Sequence, residues 1–166
     1  MNEGHALRDA TMAFFFEAML KGWAGEGVKT KPCDLPGYKV FRHESADKRF
    51  VLVDSYCVSG KSHNPRSAGT TTIWWDNTPV WWMSYGGCYE KEAIPFLKQA
   101  LLIAYGMNEF VGGRGPISHS DGSVIYINRP ELDDFSLFRG REEVLDNCGR
   151  SFGEHEYWGM SLIHNW

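Results

Sequence analysis

The chain has 166 residues, of which 43% are hydrophobic and 14% aromatic, and its formal net charge is −4. This length is typical of a single domain whose core is large enough to fold without disulfides. No run of lysine or arginine reaches three residues, so the sequence lacks the basic patch that nonspecific nucleic-acid or anionic-membrane binding requires.

The first half of the chain predicts one helix followed by four strands. Apolar residues recur at helical spacing, and Gly25 and Gly27 follow the helix and end it. Two β-branched and aromatic stretches come next, and then a hairpin around Asn77-Thr78. The predicted bounds are Ala6–Gly22 for the helix and Tyr38–His43, Arg49–Val58, Thr70–Asp76 and Pro79–Tyr85 for the strands.

The second half predicts a similar series. A helix over Glu90–Met107 carries Pro95 early, where helices tolerate it. The glycine-rich stretch Gly112–Pro116 predicts a turn with positive φ angles. The remaining expected segments are strands near Ile117–His119 and Val124–Asn128, a loop at Arg129–Pro130, a strand or turn at Phe135–Phe138, a segment at Gly140–Asn147 and a last strand at Phe152–Ile163.

The two halves resemble each other beyond the order of their elements. DKRFVLVD, ending at Asp54, is echoed by DGSVIYIN, ending at Asn128, and Gly69 aligns with Gly140. This pattern predicts an α+β domain over residues 1–166, built from two pseudo-repeated halves of a helix plus antiparallel strands, 6–87 and 90–163. The halves would form one sheet with both helices on one face. The alternative is that two amphipathic segments look alike by chance.

The four cysteines point to a reducing compartment. Cys33, Cys57, Cys88 and Cys148 form no CxxC pair and fit no zinc framework. The N-terminal stretch lacks the basic segment and the cleavage site of a secretory signal. We therefore expect a cytoplasmic protein with four free thiols.

Aromatic residues are concentrated on the predicted hairpin. Because successive strand residues point to opposite faces, one tryptophan of each pair, Trp74/Trp75 and Trp81/Trp82, should face away from the helices. Two interpretations remain open. These side chains form a pocket for a flat or cationic ligand, or they are covered by the rest of the chain or by an oligomer partner.

Charged residues accompany these aromatics. Asp54 follows an apolar stretch, and a carboxylate among aromatic rings would suit a cation or act as a general base. Glu154 and Glu156 should share one strand face and His155 the other, whereas adjacent Glu142 and Glu143 are expected on a solvated face. The predicted ligand-binding residues are Asp54, Tyr56, Trp74, Trp75, Trp81, Trp82, Tyr85, Arg141, Glu154, Glu156 and Trp158.

Familiar catalytic motifs are missing. The sequence contains no HExxH zinc signature, no GxGxxG or Walker A string, and no GxSxG nucleophile motif. The segment around Ser84, Met83–Gly86, lacks the first glycine of GxSxG, and no base can be assigned to Ser84. We therefore predict no metal, no cofactor and no identifiable catalytic residue.

Several strings carry a resemblance to a known family. DSYCVSG, PVWWMSYGG, GGRGP, FRGREEV and HEYWG resemble an uncharacterised bacterial domain family that often lies C-terminal to Xre-type helix-turn-helix regulators and also stands alone. The chain departs from that pattern at Thr71, where the family carries a carboxylate. The resemblance implies no known activity, but the frequent regulator context implies ligand sensing. The layout is also similar to that of gyrase-inhibitor-like effector-binding domains.

Three functions follow as hypotheses. The first is a module that binds or senses a small molecule, aromatic or cationic, without membrane or nucleic-acid partners. The second is an enzyme acting on a small aromatic or amine substrate. The third is a protein interaction subunit, such as a homodimer, that uses its tryptophan-rich face.

Overall fold

The computed structural model describes residues 3–32, 34–60, 65–164 and 166, so Cys33 lies outside the described residues. Within these ranges the fold has two α-helices and eight β-strands, with a short 3-10 helix at Lys91–Ala93 before the second α-helix. In chain order they are α1 (Glu3–Lys21), β1 (Tyr38–Glu44), β2 (Phe50–Val58), β3 (Arg66–Trp75), β4 (Thr78–Tyr89), α2 (Ile94–Gly106), β5 (Ser118–Ser120), β6 (Val124–Asp134), β7 (Leu137–Asp146) and β8 (Ser151–Ser161).

The eight strands form one antiparallel sheet in the order β1-β2-β3-β4-β8-β7-β6-β5. Each half of the chain therefore contributes a four-strand meander, and the last strands of the two meanders, β4 and β8, pair at the centre. The predicted α+β class with one antiparallel sheet is confirmed.

The predicted β3–β4 hairpin forms, with its turn at Asp76 and Asn77, one residue earlier than the sequence predicts. Asp76 and Asn77 take φ angles of 46° and 67°, the left-handed geometry that tight hairpin turns require and that Asn and Asp tolerate. Both strands are longer than predicted, since β3 begins at Arg66 and β4 continues to Tyr89. The extension places Ser67 and Gly87 within the sheet.

The predicted loop at Arg129–Pro130 is wrong. Both residues lie within β6, which runs unbroken to Asp134, and the pairing with β7 shifts by one position between Pro130 and Leu132. A bulge is a position where a strand accommodates proline, because the missing N–H is not needed for the ladder. The strand therefore continues across a dipeptide that favours a break.

Aromatic rings dominate the core. Phe15 of α1 lies 5.2 Å from the ring of Trp81 and 6.0 Å from that of Tyr105 in α2. Trp81 is fully buried, and its indole donates a hydrogen bond to the Phe135 carbonyl at 2.9 Å. Burying the indole N–H without a partner would be costly, so this bond allows the largest side chain to lie at the centre.

Candidate functional site: a pocket with buried charges

A pocket of ≈ 130 Å³ lies between the helical segments and the sheet. Its apolar wall comes from Met19 in the last turn of α1, from Trp23 two residues after that helix, and from Ile94, Leu97 and Leu101 of α2. The opposite wall is polar and comes mainly from the strands and the glycine-rich loop. The polar residues and tyrosines of the lining are Asp54, Tyr56, Ser67, Tyr85, Tyr89, Lys91, Tyr105, Arg114 and His155.

Asp54 is the carboxylate of this pocket. It is only 5% exposed, and its Oδ1 accepts hydrogen bonds from the Tyr85 hydroxyl at 2.8 Å and the Thr71 hydroxyl at 3.0 Å. Burial raises the pKa of Asp54, while these two hydrogen bonds act to lower it. Within the described part of the chain, no donor reaches Oδ2, so this oxygen is free to accept from a ligand.

Arg114 and Glu142 form a buried ion pair beside the pocket. Arg114 Nη2 donates to Glu142 Oε1, and the Tyr126 hydroxyl donates to Oε2 at 2.6 Å. Burial acts to raise the pKa of Glu142, but the charge and hydrogen bond of Arg114 outweigh it and hold the pKa below its usual value. Glu142 is therefore an anion and Arg114 a cation at neutral pH.

The glycine-rich loop explains how an arginine becomes buried. Gly112 and Gly113 take φ angles of 59° and 70°, as the sequence predicts. A Cβ atom on Gly112 would lie 2.2 Å from the ring of Tyr157, and one on Gly115 would lie 2.7 Å from the ring of Tyr126. Because these glycines lack side chains, the loop packs against the two tyrosine rings and carries Arg114 into the interior.

His155 lies between the pocket and the ion pair. Its Nε2 is 3.0 Å from the Ser67 Oγ, and its Nδ1 is 3.8 Å from Glu142 Oε1. Burial, with a further contribution from the Arg114 charge, lowers the pKa of His155 to about 4. The imidazole is therefore neutral at neutral pH, with its ring stacked near Tyr85 at 6.0 Å.

Only some of the predicted ligand-binding residues meet in this pocket. Asp54, Tyr56 and Tyr85 line it, whereas Trp81 belongs to the core. The other predicted residues do not line the pocket, namely Trp74, Trp75, Trp82, Arg141, Glu154, Glu156 and Trp158.

The other surface of the central strands carries several of those residues. Glu154, Glu156 and Trp158 are exposed while His155 is buried, so the predicted alternation along this strand is confirmed. Trp82 and Trp158 contact each other edge to face at 5.3 Å. This pair forms an aromatic surface that is separate from the pocket.

The expectation that Glu142 lies on a solvated face is wrong. Its side chain is completely buried, because alternation along β7 turns Phe138, Gly140, Glu142 and Val144 inward. Glu143 points the other way, where Arg129 contacts it. Two adjacent carboxylates on a strand cannot share a face, so one of them had to turn inward.

Sequence reasoning missed most of the polar wall. Ser67, Arg114 and His155 belong to segments far apart in the sequence, and no motif links them. The one local signal was an arginine within GGRGP, since positive φ glycines allow a close backbone approach. The three described cysteines, Cys57, Cys88 and Cys148, are free thiols.

Comparisons with known proteins place the chain in a family. None of the helices in the described ranges is long and apolar enough to cross a membrane. No curated protein and no solved structure matches the chain. One family model, Domain of unknown function (DUF5680), matches residues 54–163, a range that includes Asp54, Ser67, Arg114 and His155. The chain therefore belongs to the DUF5680 family, whose function is unknown.

Proposed function

We propose that this protein binds a small molecule in the pocket and serves as a ligand-sensing module. The observation that carries the proposal is the polar wall, where Asp54, Arg114 and His155 are all nearly buried around an otherwise apolar pocket. Burying a charged group destabilises the fold unless an opposite charge or a hydrogen-bonding group compensates for the lost water. Among the described residues, the buried atoms Arg114 Nε and His155 Nδ1 have no hydrogen-bond partner, so the polar groups behind this wall are not fully satisfied within the chain.

The size and chemistry of the pocket favour a one-ring ligand with an amine. An apolar cavity of roughly 150 Å³ can hold a benzene ring, and this pocket measures ≈ 130 Å³. The ring would pack between Trp23 and the leucines of α2. Its ammonium group would donate to Asp54 Oδ2, and the surrounding tyrosine rings favour a cation further.

Binding of matched probes tests this proposal. Benzylamine should raise the melting temperature and bind with a measurable Kd by calorimetry, whereas benzyl alcohol and benzoate should bind more weakly. Asp54→Asn should weaken benzylamine binding by about 1–3 kcal/mol, the scale of a hydrogen bond to a charged group. Glu154→Gln, on the outer surface, is the control and should leave binding unchanged. Equal affinity for the three probes, or equal effects of the two variants, would contradict the proposal.

We also propose that the two halves are related by duplication and that both helices cover one face of the sheet. Support comes from equivalent positions. Gly69 lies opposite Tyr85 in the β3–β4 register, and Gly140 lies opposite Tyr157 in the β7–β8 register. Met19 and Leu97, one from each helix, line the same pocket as sheet residues. A superposition of 68–85 on 139–157 that failed to overlay α1 on α2 would contradict the duplication.

A second candidate function concerns the outer aromatic surface. Trp158 is 41% exposed and contacts Trp82, and exposed Leu137 lies opposite Met160 on the neighbouring strands. Contiguous exposed apolar side chains are typical of interaction surfaces. If this surface joins two copies of the chain, light scattering should report a dimer, and Trp158→Ser should convert it to a monomer. A monomeric wild type would contradict this second function.

A further inference from the structure

Four neighbouring strands place a serine, a histidine and a carboxylate in one row. Ser67 of β3 lies opposite Gly87 of β4, Gly87 lies opposite His155 of β8, and His155 lies opposite Glu142 of β7. A Cβ atom on Gly87 would lie 2.8 Å from His155 Cδ2. Because Gly87 has no side chain, the imidazole extends across β4 and reaches the Ser67 hydroxyl at 3.0 Å.

We infer that the pocket is an acyl-transfer site, in which Ser67 is the nucleophile, His155 its general base and Glu142 a positioning residue that acts through His155. The inference rests on the proposed function only in requiring that the pocket admits a small molecule. Ser67 and His155 both line the pocket, so a bound ester would meet them directly. A hydroxyl nucleophile is weak until a base within hydrogen-bond reach removes its proton, and a third group commonly orients that base.

The protonation states suit these roles. His155 is neutral, so its Nε2 can accept the Ser67 proton when Nδ1 carries the hydrogen. Glu142 is ionised and lies 3.8 Å from Nδ1, which is too far for a hydrogen bond but close enough to stabilise the imidazolium that forms. The other groups around the imidazole are Arg114, Tyr85 and Tyr89.

The reaction we infer is hydrolysis of an ester in two steps. Ser67 Oγ attacks the carbonyl carbon, its proton moves to His155 Nε2, and the carbon–oxygen bond to the leaving alcohol breaks as that oxygen takes the proton. Water then attacks the acyl-serine, giving up a proton through His155, and releases a carboxylic acid and free Ser67. Arg114 lines the same pocket, and its guanidinium is the candidate cation to stabilise the transient oxyanion.

The pocket limits the substrate class. Its apolar wall and its volume of ≈ 130 Å³ suit an ester that carries one ring and a short acyl group. p-Nitrophenyl acetate is therefore the probe substrate, and diisopropyl fluorophosphate is the probe for a reactive serine, because its phosphorus takes the serine oxygen and releases fluoride.

The experiment compares wild type, Ser67→Ala and His155→Gln with the control Ser84→Ala, whose hydroxyl lies on the outer surface. Wild type and Ser84→Ala should hydrolyse p-nitrophenyl acetate, and each should gain one diisopropylphosphoryl group, located on Ser67 by mass spectrometry. Ser67→Ala and His155→Gln should lose about 10²-fold or more in kcat/KM. Benzylamine binding by Ser67→Ala should persist, which shows that its pocket is intact.

Two results would overturn the inference. One is a folded wild type that binds benzylamine but neither labels at Ser67 nor hydrolyses the ester, an outcome that leaves the binding proposal standing. The other is a Ser67→Ala variant that hydrolyses the ester as fast as wild type. A wild type that labels and hydrolyses but binds no amine would support this inference and contradict the proposed amine recognition.

A pH profile tests the positioning role of Glu142. In wild type, kcat/KM should rise with the deprotonation of His155. In Glu142→Gln, the imidazolium loses its neighbouring anion, so the rise should shift to lower pH and the plateau should fall. A variant with a lower plateau but an unshifted profile would reduce Glu142 to a structural role.

Discussion

Tyr85 and Tyr157 lie opposite each other on the two central strands of the sheet. Each phenol donates a hydrogen bond to the residue that ends a matching sequence stretch, Tyr85 to Asp54 at 2.8 Å and Tyr157 to Asn128 at 2.7 Å. The Asn128 amide also donates to the carbonyl of Val111, just before the glycine-rich loop, and to that of Gly115 within it. One tyrosine therefore orients a carboxylate toward the pocket, and the other helps to anchor the loop that carries Arg114.

This pair gives a first prediction, on Tyr85→Phe and Tyr157→Phe. Both variants should lower the free energy of unfolding, by about 1–3 kcal/mol for the bond to Asp54 and about 1 kcal/mol for the bond to Asn128. Removing Tyr85 raises the pKa of Asp54 further, since its hydrogen bond acts to lower that pKa. The loss of unfolding free energy in Tyr85→Phe should therefore be larger at pH values where Asp54 is ionised than at lower pH values where it is protonated.

Urea unfolding at several pH values measures both effects. Asn128 does not titrate, so the cost of Tyr157→Phe should stay constant across the same range. If the two variants showed the same dependence on pH, Asp54 would not be the titrating partner of Tyr85.

The second prediction concerns the ion pair of Arg114 and Glu142. Arg114→Met leaves a completely buried carboxylate without its cation, and losing one member of such a pair costs about 3–5 kcal/mol. The double variant Arg114→Met/Glu142→Leu should recover part of that loss, because it removes the unpaired charge as well. Chemical denaturation measures all of these changes.

Arg49→Met is the matched control for the ion pair. Arg49 pairs with Asp76 at an exposed position, where water screens the charges, so its loss should change stability only slightly. If Arg114→Met lowered the free energy of unfolding no more than Arg49→Met does, the interior would tolerate an unpaired Glu142 and the prediction would be wrong.

The third prediction follows from His155. Its pKa is about 4 in the folded protein, below the usual value of about 6.5. As the pH falls, His155 therefore takes up a proton in the unfolded chain before it does so in the folded protein. The contribution of the neutral imidazole to the free energy of unfolding is complete above about pH 6.5 and is lost toward pH 4. Between these two pH values the free energy of unfolding should fall by up to about 1.4 kcal/mol per pH unit.

His155→Gln should remove that part of the pH dependence. His164→Gln, which removes an exposed imidazole instead, is the matched control. Thermal and urea unfolding between pH 7 and pH 4 measure the difference between the variants and wild type. Parallel curves for wild type and His155→Gln would show that the imidazole titrates normally.

Local patterns predicted the parts of the fold that depend on neighbours in sequence. The existence of the β3–β4 hairpin, the positive φ angles of Gly112 and Gly113, and the alternation around His155 were predicted correctly, although the hairpin turn lies one residue earlier than predicted. Each depends on the conformational preference of one or two residues or on the two-residue period of a strand. Asp54 and Tyr85 were also named as ligand-binding residues, and the structure joins them through one hydrogen bond.

The row that contains Ser67, His155 and Glu142 could not be predicted in this way. It depends on the order of four strands and on their register, and a shift of one residue would turn every side chain to the other face. Ser67 and His155 are 88 positions apart in the sequence. The burial of Glu142 likewise depends on Arg114, which reaches it from a loop that single-sequence patterns do not place.

The last prediction asks which aromatic surface serves the ligand. Trp23 lines the pocket, and Lys98 Nζ lies 5.0 Å from the centre of its ring, whereas Trp158 belongs to the outer surface. If the ligand ring packs on Trp23, Trp23→Ala should weaken benzylamine binding by roughly 1 kcal/mol or more, the scale of an aromatic pair beyond its buried area. Trp158→Ala should leave the Kd unchanged. Calorimetry measures both, with thermal unfolding to show that each variant is folded. Weaker binding in Trp158→Ala alone would move the ligand to the outer surface, the location that the sequence first suggested, and would leave the pocket without a role in amine recognition.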